Sequence, residues 1–282
     1  VEENQKQHCV NCGNSFEGKY CNICGERIVK REELTVRHLI GETIKALTFA
    51  DSKIFRTLKT LFFKPGVLPK RYLEGYRKAF VPPLSLFLLV NLIYFLLNPF
   101  DTLNSHLNSQ LAYQPYSELI YDYGVQQMES STWSNEVYTE KYNARSLAIS
   151  KSMILIFPLL FSFPLWLLFY RKTRYLFDHL MLALSYMTFI LLGLLLLMPA
   201  LIKGILYLMA QLGQSVQFDW NGLLATVLLF GLIGLYLFFT LKHFYKQTNG
   251  ATLLKTVVLI PAFVGVLFAY RFILFFVTVW SL

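Results

Sequence analysis

The sequence predicts an all-α membrane protein: five transmembrane helices preceded by amphipathic helices and a compact cysteine-rich start. Three observations predict it. The 282 residues are 55% hydrophobic and only 15% charged, with mean hydropathy +0.45; a soluble chain is usually about a quarter charged. The apolar residues gather into runs long enough to cross a bilayer, which takes roughly 20 residues for about 30 Å of hydrocarbon. The charges gather outside those runs. Disorder is excluded by the hydrophobicity, and a disulfide scaffold by four cysteines in 282 residues.

In chain order, the cysteines come first. Cys9-Val-Asn-Cys12-Gly13 and Cys21-Asn-Ile-Cys24-Gly25 form two CxxCG knuckles. Thiolates two residues apart reach one metal ion, and the following glycine permits the tight turn. Four thiolates close a tetrahedron around Zn²⁺ with no open position, so one structural zinc is expected on Cys9, Cys12, Cys21 and Cys24. Disulfides are the alternative, and a reducing cytoplasm argues against them; an iron or iron–sulfur site is a further one. Phe16 and Tyr20 are expected to supply the small core, and His8 to be solvated. The ribbon occupies residues 1–30.

Residues 31–79 carry helical periodicity. Val36, Leu39, Ile40, Thr43, Ile44 and Leu47 make one apolar stripe. Asp51-Ser52 restarts a helix, and Ile54, Phe55, Leu58, Leu61 and Phe62 make a second stripe. Arg37, Lys45, Lys53, Arg56 and Lys59 lie on the other faces. Basic amphipathic helices of this kind lie in a membrane interface or pack on the transmembrane bundle or a second subunit; both readings stand. Lys64-Pro65-Gly66 ends the second helix. A short basic segment, Pro69 to Pro83, then leads into the bilayer, with Pro82 and Pro83 near the first turn, where a missing N–H costs little.

Five runs qualify as spans: about 80–98, 148–170, 178–202, 221–241 and 254–280. Pro158 and Pro164 are expected to kink the second, Pro199 to end the third, and Pro261 to kink the fifth. Gly231 and Gly234 allow close helix approach in the fourth. The domain from 80 to 282 carries a cap at 98–149. That segment is too long for a simple connection and should hold two or three short helices with six tyrosines and Trp133. Tyr-rich polar surfaces suit protein or small-ligand contact; an inert cap is the alternative.

Charge sets the orientation. Residues 1–80 hold 15 Lys and Arg against 9 acids, whereas 98–149 hold 2 against 6. Arg71, Arg77 and Lys78; Arg171, Lys172 and Arg174; and Lys242, Lys246 and Lys255 fall on one side, the cytoplasm by the positive-inside rule. The N-terminus is therefore expected inside and the C-terminus outside a bacterial inner membrane. The polar first residues suggest no secretory signal peptide. The basic charge, net +9, fits anionic lipid of the cytoplasmic leaflet better than nucleic acid.

Lys64, Lys70, Arg71, Arg77 and Lys78 are candidates for lipid phosphate, with Tyr72 and Tyr76 as interfacial anchors; an ordinary positive flank is the alternative. Arg271, inside the fifth span, is a functional candidate by its position. It either snorkels or pairs with an acid of the outer domain, or lines a pathway for an anionic group. Asp178 and His179 are expected at the interface. No P-loop, dinucleotide fingerprint, HExxH or GxSxG is present, so no catalytic constellation is expected.

The CxxCG…CxxCG ribbon, the phrase Leu61-Phe62-Phe63-Lys64-Pro65-Gly66, then Tyr72-x-x-Gly75-x-Arg77 and Pro82 together resemble a bacterial family of polytopic membrane proteins catalogued only as a domain of unknown function. The resemblance rests on residues 9–85. This chain has Phe80 where that family often has Tyr. The resemblance implies identity without an activity. The expected function is a zinc-ribbon-bearing membrane scaffold or adaptor that docks a protein partner or its own oligomer. The alternative is a transporter, channel or lipid-handling protein with a cavity between Pro-kinked helices.

Overall fold

The structure is a computed structural model and describes residues 7–25, 52–97, 103–170, 175–212 and 222–282, with backbone alone at 223 and 224. The expected stripe from Val36 to Leu47 and the basic residues Arg171, Lys172 and Arg174 lie outside the described residues.

At the N-terminus β1 (Gln7–His8) pairs antiparallel with β2 (Ser15–Phe16), Gln7 opposite Phe16. The other elements among the described residues are helices. α1 (Ser52–Phe63) and α2 (Val67–Leu73) flank a turn at Gly66. α3 spans Pro83–Leu97. The segment after it holds α4 (Leu107–Ala112), α5 (Ser117–Ser130) and α6 (Asn135–Met153). α7 spans Ile156–Phe169 and α8 Leu176–Phe189. A π-helical stretch, Ile190–Leu197, joins α8 to α9 (Met198–Gln211). α10 (Leu223–Tyr245) and α11 (Asn249–Trp280) complete the chain.

Among the described residues three helices are long and apolar enough to cross a membrane: Leu176–Gln211, Ala225–Tyr245 and Asn249–Trp280. A fourth is counted if α6 and α7, bent by 55°, form one broken span. The five expected spans are therefore not all found. α3 has 15 residues, about 22 Å at 1.5 Å per residue, short of the hydrocarbon thickness. The expected second span breaks between Met153 and Ile156. Pro158 explains the break: it has no N–H for the Ile154 carbonyl and its ring crowds that carbonyl. Pro199 does not end the third span. The π-helical stretch widens the hydrogen-bond ladder just before it, which lets the helix run on for 36 residues in all.

Aromatic rings fill the middle of the bundle. Phe161 of α7 stacks on Tyr186 of α8, which stacks on Tyr236 of α10; Phe189 lies flat on Tyr236 at 3.5 Å. Phe263 of α11 meets Phe157, Phe161 and Tyr186 edge-on. Three buried phenols of the bundle find partners: Tyr186 donates to the Ile233 carbonyl, Tyr236 to that of Leu61, and Tyr270 to that of Ser150.

α1 and α2 stand beside this bundle rather than beneath it. Leu61 sits at Tyr236, nine residues from the end of α10, about 13 Å along it. Phe62 packs edge-on against Phe189 at 5.6 Å. The turn reaches α10 at two more points: Gly66 lies against the Thr240 backbone, and His243 Nδ1 donates to the Pro65 carbonyl at 3.0 Å. Thr57, fully buried, accepts from the Val81 N–H at 2.9 Å and so ties α1 to the start of α3. Leu61, Leu68, Phe80 and Leu86 form the core of this corner.

The cap, α4 to α6, packs on the last third of α11. Leu107, Tyr116, Ile120, Tyr138 and Tyr142 close over Phe275 and Val279. With 32 residues, α11 is about 48 Å long. That is well beyond roughly 30 Å of hydrocarbon, and the cap covers the surplus.

Candidate metal centre and basic collar

The four cysteines converge. Their sulfur atoms all lie within 4.8 Å of one another, with Cys9 and Cys24 at 3.4 Å and Cys12 and Cys21 at 3.6 Å. A metal bound by four thiolates at 2.3 Å holds them about 3.8 Å apart, so the donors fit a tetrahedral ion. Local sequence builds this. Each knuckle closes by a hydrogen bond from the glycine N–H to the first cysteine's carbonyl, Gly13 to Cys9 and Gly25 to Cys21. Both glycines have positive φ, 76° and 64°, where a side chain is disfavoured.

The site's electrostatics separate the thiols. The Cys24 backbone N–H, with that of Ile23 and the neighbouring thiols Cys12 and Cys24, outweighs desolvation and pulls Cys21 down to about 6. The Asn14 backbone donor acts on Cys12 in the same direction, yet desolvation and the thiols around it push Cys12 up to about 12. A cation held by all four sulfurs would favour the thiolate form of each. His8 shares a 2.9 Å hydrogen bond with Ser15 Oγ on the exposed strand pair and is no ligand. Phe16 is buried with Cys9 and Cys21. Tyr20, expected in that core, is 61% exposed, as is Ile23 at 71%; a ribbon this small has room for one ring.

The ribbon rests on the segment between α2 and α3. Lys78 Nζ donates to the Cys24 carbonyl, and the Val10 side chain lies 3.9 Å from the position a Cβ on Gly75 would take. The basic residues expected to bind lipid thus divide. Lys78 holds the ribbon. Arg77 lies over the Tyr72 ring at 5.5 Å. Arg71 lies over Tyr76 and Phe80, 5.9 Å from each ring centre, and stays exposed together with Lys64; Lys70 is half-buried. Tyr72 is not an interfacial anchor: it is 1% exposed and part of the main core. Tyr76 is half-buried under Arg71.

Arg271 stands where α11 enters the cap. Its Nη1 donates to Gln114 Oε1 at 3.4 Å, and its carbonyl accepts from Gln110 at 3.2 Å. Tyr116 donates to Gln110 Oε1 and stacks edge-on against Phe272. Arg271 is therefore tied to the amides of the cap. Gln110 and Gln114 stand far from Arg271 in the chain, so sequence offered no sign of that pairing.

Sequence reasoning also placed Asp178 and His179 at an interface, whereas both are buried. His179 Nδ1 shares a 2.5 Å hydrogen bond with Tyr245 Oη, whose ring stacks on Phe169, and Lys255 Nζ lies 3.9 Å over that Phe. These groups come from four helices, and nothing in their spacing along the chain links them.

A family described as a protein of unknown function, DUF3667, matches residues 51–95, which comprise α1, α2 and nearly all of α3. No curated protein and no solved structure matches the chain.

Proposed function

We propose that this chain is a zinc-ribbon-bearing scaffold or adaptor of a bacterial inner membrane. The whole of it, ribbon included, belongs on this reading to the polytopic family whose conserved-domain segment covers α1 to α3. Its ribbon holds one structural Zn²⁺ on Cys9, Cys12, Cys21 and Cys24. The N-terminus faces the cytoplasm and the C-terminus the other side, with the cap outside.

The observation that carries the reading is the docked ribbon. Lys78 and Gly75 fix one side of it against the membrane domain. Tyr20 and Ile23 remain outward and exposed beside the second knuckle. Apolar side chains held outward on a metal-stiffened frame suit a protein partner or a second copy of the chain. The aromatic packing between α7, α8, α10 and α11 and the engagement of Arg271 by the cap support a scaffold over a transporter.

Chemical crosslinking in native membranes, followed by mass spectrometry, tests this. The wild type should give one recurrent crosslinked partner or dimer. Tyr20→Ser with Ile23→Ser should abolish it while zinc content and abundance stay unchanged. An always-monomeric wild type that carries solute flux in proteoliposomes would overturn the scaffold reading. Reporter fusions at residues 1 and 282 test the orientation separately.

A further inference from the structure

α1 divides cleanly into two faces. Thr57 and Leu61 are buried, and Ile54, Leu58 and Phe62 half-buried, toward the bundle. The other side is exposed apart from the half-buried Thr60 and combines two chemistries: Lys53, Arg56 and Lys59, with Lys64 just past the helix end, beside Phe55 and Phe63, which are 76% and 79% exposed. From Lys53 to Lys64 the patch runs about 16 Å at 1.5 Å per residue. Among the described residues none of these four cations lies over a ring or in the ribbon contact, unlike Arg71, Arg77 and Lys78.

The patch continues onto α10. Tyr236, Thr240 and His243 hold the end of α1 and the Gly66 turn. The residues next to them in α10, Leu235 and Phe239, are exposed apolar side chains on a helix of membrane-spanning composition. Rings that point outward from a surface flush with a lipid-facing helix, interleaved with cations, match a bilayer interface. The rings enter the acyl boundary and the cations meet headgroup phosphate.

We propose that the outer face of α1, through Lys53, Arg56, Lys59 and Lys64 with Phe55 and Phe63, binds anionic phospholipid of the adjoining leaflet. The ligand is a lipid phosphate in the bilayer, held by several cations at once. This rests on the membrane reading above and deepens it, because it keeps Lys64 of the expected set and moves the rest of the lipid site from Lys70–Lys78 to α1.

The test is native mass spectrometry of the full-length purified chain, titrated with phosphatidylglycerol or phosphatidylcholine. Each cation near an anionic surface raises binding roughly fivefold. The wild type should therefore retain phosphatidylglycerol in preference, and the Lys53→Gln, Arg56→Gln, Lys59→Gln, Lys64→Gln variant should lose more than about tenfold of that preference. The variant in which the three lysines become arginine should keep it, which separates lost charge from lost fold. Equal retention of the two lipids by the wild type would overturn the proposal, as would an unchanged preference in the glutamine variant. Nuclease-sensitive absorbance with no lipid preference would assign the patch to nucleic acid and overturn it too. Extraction of the chain by alkaline carbonate would instead overturn the membrane reading, so the two failures are distinguishable.

Discussion

Gly66→Ala should uncouple α1 and α2 from the bundle. Gly66 has φ 77°, and a Cβ there would stand 2.4 Å from the Thr240 carbonyl oxygen and 3.1 Å from that residue's Cα. Both neighbours are backbone of a long helix, so they do not swing aside. Real side-chain carbons essentially never approach within 3.0 Å, so turn and helix must part by at least ~0.6 Å. The left-handed conformation itself costs an alanine roughly 1–2 kcal/mol. Parting strains two neighbouring hydrogen bonds, His243 to Pro65 at 3.0 Å and Tyr236 to Leu61 at 2.7 Å, at about 1 kcal/mol each. The expected loss is about 3–4 kcal/mol, or a fall on the order of 10 °C in the apparent melting temperature of detergent-purified protein. Gly231→Ala is the control, since nothing lies within 4 Å of its Cβ position, and it should melt at or slightly above the wild type. A Gly66→Ala protein that melts within a degree of the wild type would refute the packing of this turn on α10.

Cys21→Ser, or a strong chelator, should unfold the ribbon and release about one zinc per chain, read by metal analysis. Because binding requires thiolates, retention should fall as pH is lowered. Lys78→Ala should leave the zinc in place and raise hydrogen exchange at residues 10 and 24, because only the ribbon's anchor is lost. Thr57→Val should cost about 1 kcal/mol by removing the hydroxyl that accepts from the part-buried Val81 N–H, read as a lower melting temperature. Phe275→Ala should cost about 3–5 kcal/mol and expose the cap, α4 to α6, to limited proteolysis, since Phe275 is fully buried beneath Tyr123 and Tyr142.

Much of the bundle was legible from the sequence because hydropathy is summed over a window. α8 and α11 begin, and α10 begins and ends, within a few residues of the runs that predicted them. What failed was continuity. Whether Pro158 breaks a helix and Pro199 does not depends on whether the ladder nearby can widen, and Leu-rich sequence around Pro199 could do so without exposing a polar side chain. The short α3 escaped for a related reason: an apolar run from 80 to 98 counts Phe80 and Val81, which fold back onto Leu61 and Thr57.

The four-cysteine cluster, a candidate metal site, is the part that sequence by itself determined. Two CxxCG knuckles specify donor, spacing and turn within five residues each, and the fold had only to bring two such turns together. The same holds for the amphipathy of α1, whose two faces follow from its 3.6-residue period. Tertiary structure alone decided which cations face outward. Arg71 and Arg77 on their rings, Lys78 in the ribbon contact and Arg271 among the cap's amides meet partners that are distant in the chain or indistinguishable by type from any other aromatic or amide. A charge count fixes how many cations there are. Only packing decides which of them are left at the surface.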